Sequence, residues 1–207
     1  MTNDRSKSSV AARSDGSLTS TSASELDTFL AEIRQAAAPS TVGRGRLIFA
    51  LDATASRQST WDTAAHLQGE MFHTVAAVGS LDMQLVYYRG LSECRASKWI
   101  PHPEQMGKTM SQIICNAGET QIEKILIHAK KETKLLRVSA LVFVGDAIEE
   151  NPDVVVHEAG ELGRLGVPAF MFQEGRDPVA EQTFRDVARV SSSAIRRSRT
   201  STKPRQC

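Results

Sequence analysis

The sequence predicts an α/β fold: a doubly wound, mostly parallel sheet with one antiparallel edge strand and helices on both faces. Continuous apolar runs without polar alternation are typical of strands that are covered on both faces of a parallel sheet. Segments with apolar residues at helical spacing alternate with these runs, which favours the doubly wound arrangement. Two strand-like runs separated only by Gly90 predict the antiparallel edge. The three continuous apolar runs are 46–52, 139–146 and 168–173.

Composition fits one ordinary globular domain and argues against several classes of partner. The 207 residues are 41% hydrophobic and 24% charged, and the net charge of +1 predicts no dedicated surface for nucleic acid or anionic membranes. No apolar run reaches the length of about 18 residues that a membrane-spanning helix needs. Met1 to Ser22 lacks the apolar core of a secretory signal. We therefore expect a soluble protein without a membrane partner.

The three cysteines, Cys94, Cys115 and Cys207, are odd in number and far apart in the chain. Their spacing fits neither a disulfide framework nor a zinc-binding motif. We therefore expect the protein to work in a reducing compartment, the cytoplasm.

The N-terminal part divides into two segments. Residues 1–21 are mostly Ser, Thr, Asp, Arg and Ala, which bury too little apolar surface to offset chain entropy, so we predict disorder. Residues 22–44 are predicted to be a helix, reaching about Ala37, followed by a linker. Ser22 and Glu25 have the spacing of a capping box at the start of this helix. Its apolar residues recur at helical intervals: Leu26, Phe29, Leu30 and Ile33.

Residues 45–190 are predicted to be the folded domain. After the first buried strand, apolar residues at helical spacing from Trp61 to Val78 predict a long helix that Gly79 closes. The remaining predicted elements are strands 81–88 and 94–100, helices from Pro103 to Ile114 and 120–136, strand 139–146, helix 153–165, strand 168–173 and helix 178–190.

The C-terminal residues 191–207 are predicted to be a basic, disordered tail. Ile195 is the one large apolar side chain among them, too few for a buried strand or an amphipathic helix. We expect the sheet edge beside 168–173 to be left exposed as a result.

Oxygen-bearing side chains follow two of the buried strands. Asp52, Thr54 and Ser56 occupy alternate positions after the first strand, and Asp146 ends the strand that begins near residue 139. Thr120 opens a predicted helix after a loop of small residues. Ligands of an open α/β sheet bind beyond the carboxyl ends of its strands, where these side chains converge. Two carboxylates with three hydroxyls form a hard oxygen site, which suits Mg²⁺, Mn²⁺ or Ca²⁺ better than zinc.

These segments resemble the metal-ion-dependent adhesion site (MIDAS) of von Willebrand factor A (VWA) domains. That family has Asp-x-Ser-x-Ser, a Gly-Gly-Thr-like loop and an Asp that ends the fourth strand. The matching segments here are Asp52-Ala53-Thr54-Ala55-Ser56, Gly118-Glu119-Thr120 and Gly145-Asp146, within about residues 45–190.

The resemblance implies a role for each site residue. Ser56 and Thr120 would coordinate the metal directly, with Thr54 near it, while Asp52 and Asp146 would act largely through water. An open coordination position would accept a carboxylate from a partner protein. The resemblance also implies that the last strand and helix of the family are missing from this chain.

The sequence departs from the family pattern in three places. Thr54 replaces a serine and keeps the hydroxyl, whereas Glu119 replaces a glycine and adds a carboxylate beside the site. Gly145 and Ala147 flank Asp146 where the family has Thr and Gly, which predicts a different loop shape.

The function that we expect is a divalent-metal-dependent protein-binding module, not an enzyme, whose partner offers Asp or Glu. One alternative is a Mg²⁺-dependent hydrolase or phosphoryl-transfer enzyme, in which Asp52 and Asp146 hold the ion over a phosphate. Another is a structural domain with an empty site. The hydroxyl-rich set leaves no obvious general base, and Gly107-Lys108-Thr109 lacks the first glycine of a phosphate-binding loop. Both observations favour the binding module.

Overall fold

The computed structural model contains a five-stranded mixed sheet, as the sequence predicts. It describes Ala31 and residues 44–58, 81–102 and 105–200, with side chains of the last range given as far as Ser192. The predicted disorder of 1–21, the helix 61–78 and the final residues 201–207 lie outside the described residues, as does nearly all of the N-terminal helix and linker.

The sheet has the strand order β3-β2-β1-β4-β5, with β1 at its centre. Strand β3 is antiparallel to β2, and every other neighbouring pair is parallel. The turn between β2 and β3 is possible because Gly90 adopts a positive φ of 61°. The five strands are β1 (Gly45–Asp52), β2 (Leu81–Arg89), β3 (Glu93–Ala96), β4 (Ala140–Gly145) and β5 (Ala169–Gln173).

Helices lie between the strands where the apolar periodicity predicts them. Those with described bounds are α1 (Met106–Met110), α2 (Ile122–Leu135), α3 (Pro152–Arg164) and α4 (Pro178–Thr200). Helix α1 ends earlier than predicted: a turn follows at 111–112, after which Ile113 is still buried but Ile114 is 71% exposed. No helix of the described ranges combines the length and apolar character that crossing a membrane demands.

The core consists of two apolar layers, one on each face of the sheet. One layer packs β1 and β4 against helices α2, α3 and α4 through residues such as Ile125, Leu162 and Phe184. The other layer includes Phe49 of β1 and Met106 of α1. Both faces of β1 are therefore covered, which explains its uninterrupted apolar sequence.

Helix α4 continues ten residues beyond the predicted end at Val190. Ser191 is fully buried: its hydroxyl accepts a hydrogen bond from the Ala169 amide (3.0 Å) and donates one to the Ala188 carbonyl (3.1 Å). A Cβ on Gly163 of α3 would lie 2.7 Å from the Ser191 backbone. Close packing at small residues therefore holds α4 here, and counting large apolar side chains misses such packing.

Gly163 and Gly160 on helix α3 offer a matched test of this packing. We expect Gly163→Ala to lower the free energy of unfolding by about 1–3 kcal/mol, because the added methyl meets backbone atoms of α4. A Cβ on Gly160 meets nothing within 4 Å, so Gly160→Ala should raise it by about 0.5–1 kcal/mol through helix propensity. Urea denaturation measures both; equal stabilities would contradict the packing of α4 against α3.

Candidate metal centre

Asp52 ends the central strand with a carboxylate that is fully buried. Its Oδ1 accepts a hydrogen bond from the Thr54 amide at 2.7 Å, and its Oδ2 accepts one from the Tyr88 hydroxyl at 2.9 Å. Tyr88 lies directly beside Asp52 in the parallel pairing of β1 and β2. Hydrogen bonds from Thr54 and Tyr88 thus reach both carboxylate oxygens, which fixes the orientation of the group.

The turn after β1 places two hydroxyls together. Thr54 Oγ1 and Ser56 Oγ are 3.0 Å apart; Thr54 is buried, whereas Ser56 is exposed. A single 3₁₀ turn, Ala55–Arg57, follows. The buried Arg57 guanidinium lies 3.1 Å from the Glu174 carboxylate just after β5, and this ion pair ties the turn to the far side of the site.

Asp146 follows β4, next to the end of β1. Its Oδ1 is buried without a hydrogen-bond partner among the residues that the structure describes. Burial raises the pKa of Asp52 above its ordinary value, opposed by the hydrogen bonds from Thr54 and Tyr88, and the Asp146 charge raises this pKa further. The two carboxylates therefore repel one another across the site.

Gly145, a departure from the family pattern, is explained by the space around it. A Cβ there would lie 2.7 Å from the Phe143 ring and 3.4 Å from the Asp52 Cβ. The missing side chain lets the end of β4 approach the buried carboxylate of Asp52.

Thr120 is buried and is bound to the loop that carries Asp146. Its hydroxyl accepts a hydrogen bond from the Glu149 amide (2.9 Å), and its amide donates to the Glu149 carboxylate (3.0 Å). The neighbouring Glu150 carboxylate accepts hydrogen bonds from the Ile122 and Glu123 amides, which caps helix α2. These two acidic residues place Thr120, although no sequence motif points to either of them.

The loop before Thr120 crosses the β2–β3 turn in close contact. The Gly90 carbonyl accepts hydrogen bonds from the Glu119 amide and the Gln121 side chain. A Cβ on Gly118 would lie 2.0 Å from that same carbonyl oxygen, so glycine is required there. Glu119 is exposed at this crossing, and the Asn116 amide donates to the Ala53 carbonyl, joining this loop to the Asp52 turn.

The structure thus places all five predicted residues at the carboxyl edge of the sheet. Asp52, Thr54 and Ser56 share one turn, Asp146 lies beside it, and Thr120 is joined to the Asp146 loop through Glu149. No three His, Cys, Asp or Glu side chains form a metal-holding group within the described ranges. The set consists instead of two carboxylates with hydroxyls, and the Asp146 oxygen without a partner among the described residues fits the chemistry of a hard cation.

The hydrogen bond from Tyr88 to Asp52 is the main contact in this site that the sequence does not predict. Burial and the adjacent Asp52 charge raise the pKa of Tyr88 well above its ordinary value, so its hydroxyl keeps its proton and donates it to Asp52. A tyrosine in an apolar strand carries no such signal by itself. Only the register of β1 against β2 brings the two residues together.

A sheet of this order, with oxygen donors beyond its central strands, defines a VWA-like fold. No family model and no curated protein matches the chain. An aerotolerance-related membrane protein from Bacteroides fragilis NCTC 9343 has a similar structure, with a TM-score of 0.58, 13% identity, and coverage of 75% of this chain and 96% of that one. The SpRpn10 VWA domain has a TM-score of 0.55 and 11% identity, with coverage of 69% of this chain and 82% of that one. Manganese-loaded Plasmodium vivax TRAP protein has a TM-score of 0.55 and 14% identity, with coverage of 79% of this chain and 65% of that one. The chain therefore shares the fold of VWA domains.

The buried Asp52 predicts a distinctive pH dependence in a metal-chelating buffer. Because its folded-state pKa is raised, the folded protein keeps this proton to higher pH than the unfolded chain. Stability should therefore fall as pH rises from about 4, the unfolded value, through the folded-state pKa. We expect Asp52→Asn to remove this fall, as measured by urea denaturation at successive pH values.

Asp186 on helix α4 is the control, because its pKa is shifted in the opposite direction to that of Asp52. Its hydrogen bond with Arg189 lowers its pKa in the folded protein. Asp186 therefore stabilises the fold at pH values above its pKa in the unfolded chain, and this stabilisation is lost as pH falls through its pKa in the folded protein. Asp186→Asn should thus affect only the stability above that range. An unchanged pH slope in Asp52→Asn would contradict the buried-carboxylate account.

Proposed function

We propose that this chain is a divalent-metal-dependent protein-binding module. Mg²⁺, or Mn²⁺ or Ca²⁺ in its place, would be held by Ser56 and Thr120, with Thr54 near it and Asp52 and Asp146 acting largely through water. The bound ion supplies a positively charged acceptor for a carboxylate from a partner protein. The odd number and wide spacing of the three cysteines fit no disulfide framework, so we propose that the protein works in a reducing compartment, the cytoplasm.

The observation that carries this proposal is Asp146 Oδ1, a buried oxygen with no hydrogen-bond partner in the described part of the chain. A buried carboxylate oxygen without a donor is costly, and a second carboxylate nearby increases the cost. A divalent cation, or water bound to it, would relieve both the missing contact and the repulsion from Asp52. The manganese carried by the similarly folded TRAP protein adds support from outside the chain.

The charges around the site explain why partner binding would depend on metal. Glu119 and Glu149 are exposed near Thr120, and the buried Asp52 and half-buried Asp146 lie on the same edge of the sheet. Without a cation, this edge repels an Asp or Glu side chain. A bound ion with an open coordination position reverses the interaction, so we propose that partner and metal bind together.

Metal binding is the first test. We expect Mg²⁺ or Mn²⁺ to raise the melting temperature, because a ligand of the folded state adds about 2.7 kcal/mol when present at 100 times its Kd. Asp146→Asn, and the double change Asp52→Ala with Thr120→Ala, should abolish the increase. Asp153→Asn on the exposed first turn of α3 should leave it intact. Isothermal titration without heat at millimolar Mg²⁺ or Mn²⁺ would overturn the proposal.

Partner binding is the second test. The immobilised chain should retain a protein from a cell extract in Mg²⁺ and release it in EDTA, and the Asp146→Asn chain should retain none. Mass spectrometry then identifies the partner, and replacing its exposed Asp and Glu residues should locate the one that binds. Retention that is equal in Mg²⁺ and EDTA would show a binding surface separate from the metal.

A further inference from the structure

Two adjacent leucines are exposed at the end of the domain opposite to the metal centre. Leu135 is 81% exposed and Leu136 is 63% exposed, where helix α2 ends before β4. Lys131, Lys134 and Arg137 are exposed on either side of them. We call these five residues the leucine corner. The negative end of the helix dipole accounts for cations at this position, but it does not account for two exposed leucines.

The leucine corner is held firmly by the strand beneath it. The Arg46 side chain, at the start of β1, donates to the Leu136 carbonyl and forms an ion pair with Glu132 at 2.8 Å. Its guanidinium also stacks on the Trp99 ring, 3.6 Å from the centroid. Arg46 itself is 7% exposed, so the main chain under the leucines is fixed by buried contacts. The exposed leucines thus belong to a rigid surface that is suited to docking.

The chain itself brings an apolar segment to this end of the domain. Arg44, two residues before Arg46, is anchored by an ion pair with Asp82 and a hydrogen bond to the Pro101 carbonyl. The helix predicted over 22–37 ends seven residues before Arg44, and seven residues span at most about 25 Å. A tether this short gives an effective concentration on the order of millimolar.

The predicted helix complements the leucine corner in both polarity and charge. The structure describes Ala31 as helical and exposed. At helical spacing, Ala31 falls on the face of the predicted helix opposite to the face that carries the helix's large apolar residues. Leucine and phenylalanine side chains of the helix match the two exposed leucines, and its carboxylates match the three cations. The apolar set is Leu26, Phe29, Leu30 and Ile33, and the acidic set is Glu25, Asp27 and Glu32.

We propose that residues 22–37 dock as an amphipathic helix on the leucine corner of their own chain. A helix of this length is marginal in water by itself, so stable structure in 22–37 requires a surface that buries its apolar face. The docked helix would cover Leu135 and Leu136 and pair its acidic side chains with Lys131, Lys134 and Arg137. This inference is independent of the metal centre.

Hydrogen exchange of the full chain tests the proposal directly. We expect the amides of 26–33 to exchange at least about tenfold more slowly than those of 1–21, because docking protects the helix. The double change Leu135→Ser with Leu136→Ser should remove this protection. Leu91→Ser is the matched control, since Leu91 is 75% exposed in the β2–β3 turn at the other end of the sheet. Protected β1 and β4 amides establish that each variant is folded.

Two further variants test the contact by changing the docked segment in one case and the cations of the leucine corner in the other. Leu26→Ser with Leu30→Ser changes only the segment and should increase the exchange of the 135–137 amides. Lys131→Glu with Lys134→Glu should release the segment while leaving both leucines in place. Fast exchange of 26–33 in the wild-type chain, or equal loss in Leu91→Ser, would overturn the proposal. Protection that increases with protein concentration would also overturn it, because the occupant would then be a second copy.

Discussion

The burial of the Asp52 carboxylate at the end of the central strand is the constraint around which the functional edge is built. A charged group without solvent is costly unless donors or a cation compensate it. The Thr54 amide and the Tyr88 hydroxyl supply two hydrogen bonds, and β1 lies between β2 and β4 so that Asp146 arrives beside it. The Asp146 charge still raises the pKa of Asp52, so the two carboxylates repel one another, and the cation that we propose at this edge would relieve that repulsion.

The loops around Asp52 are held by contacts that use acidic side chains as acceptors for backbone amides. Glu149 binds the Thr120 amide, and Glu150 binds the first amides of α2. Gly118 then lets the same loop cross the Gly90 carbonyl at a distance that no side chain would permit. The hydroxyl of Thr120 is therefore positioned by neighbours that do not belong to the metal-binding pattern, and their loss should alter the site without removing a ligand.

The sequence predicts most of this fold because β1, β4 and β5 are apolar without interruption, a pattern typical of strands buried on both faces of a parallel sheet. It also predicts that five oxygen-bearing residues lie at the carboxyl edge, because they follow strand ends or open a helix after a loop; their role as metal ligands stays a prediction. Contacts made by register or by the meeting of loops, such as Tyr88 with Asp52, have no local pattern and escape sequence reasoning. The burial of Ser191 is not predicted for another reason. Its small hydroxyl is buried where close packing provides hydrogen-bond partners, and a pattern of apolar residues does not detect a buried serine.

Acidic side chains of the proposed site and the exposed cations of the leucine corner lie at opposite ends of the sheet. Asp52, Asp146 and Glu149 lie at the carboxyl edge, whereas Lys131, Lys134 and Arg137 surround the leucine corner at the amino edge. An acidic partner in solution would be attracted to the basic end first. If the acidic helix of 22–37 occupies that end, its three cations are no longer open to a partner carboxylate, which would favour the proposed cation at the opposite edge. Intramolecular docking would then contribute to the specificity of the metal-dependent site, since it removes a competing surface without any contact to the metal.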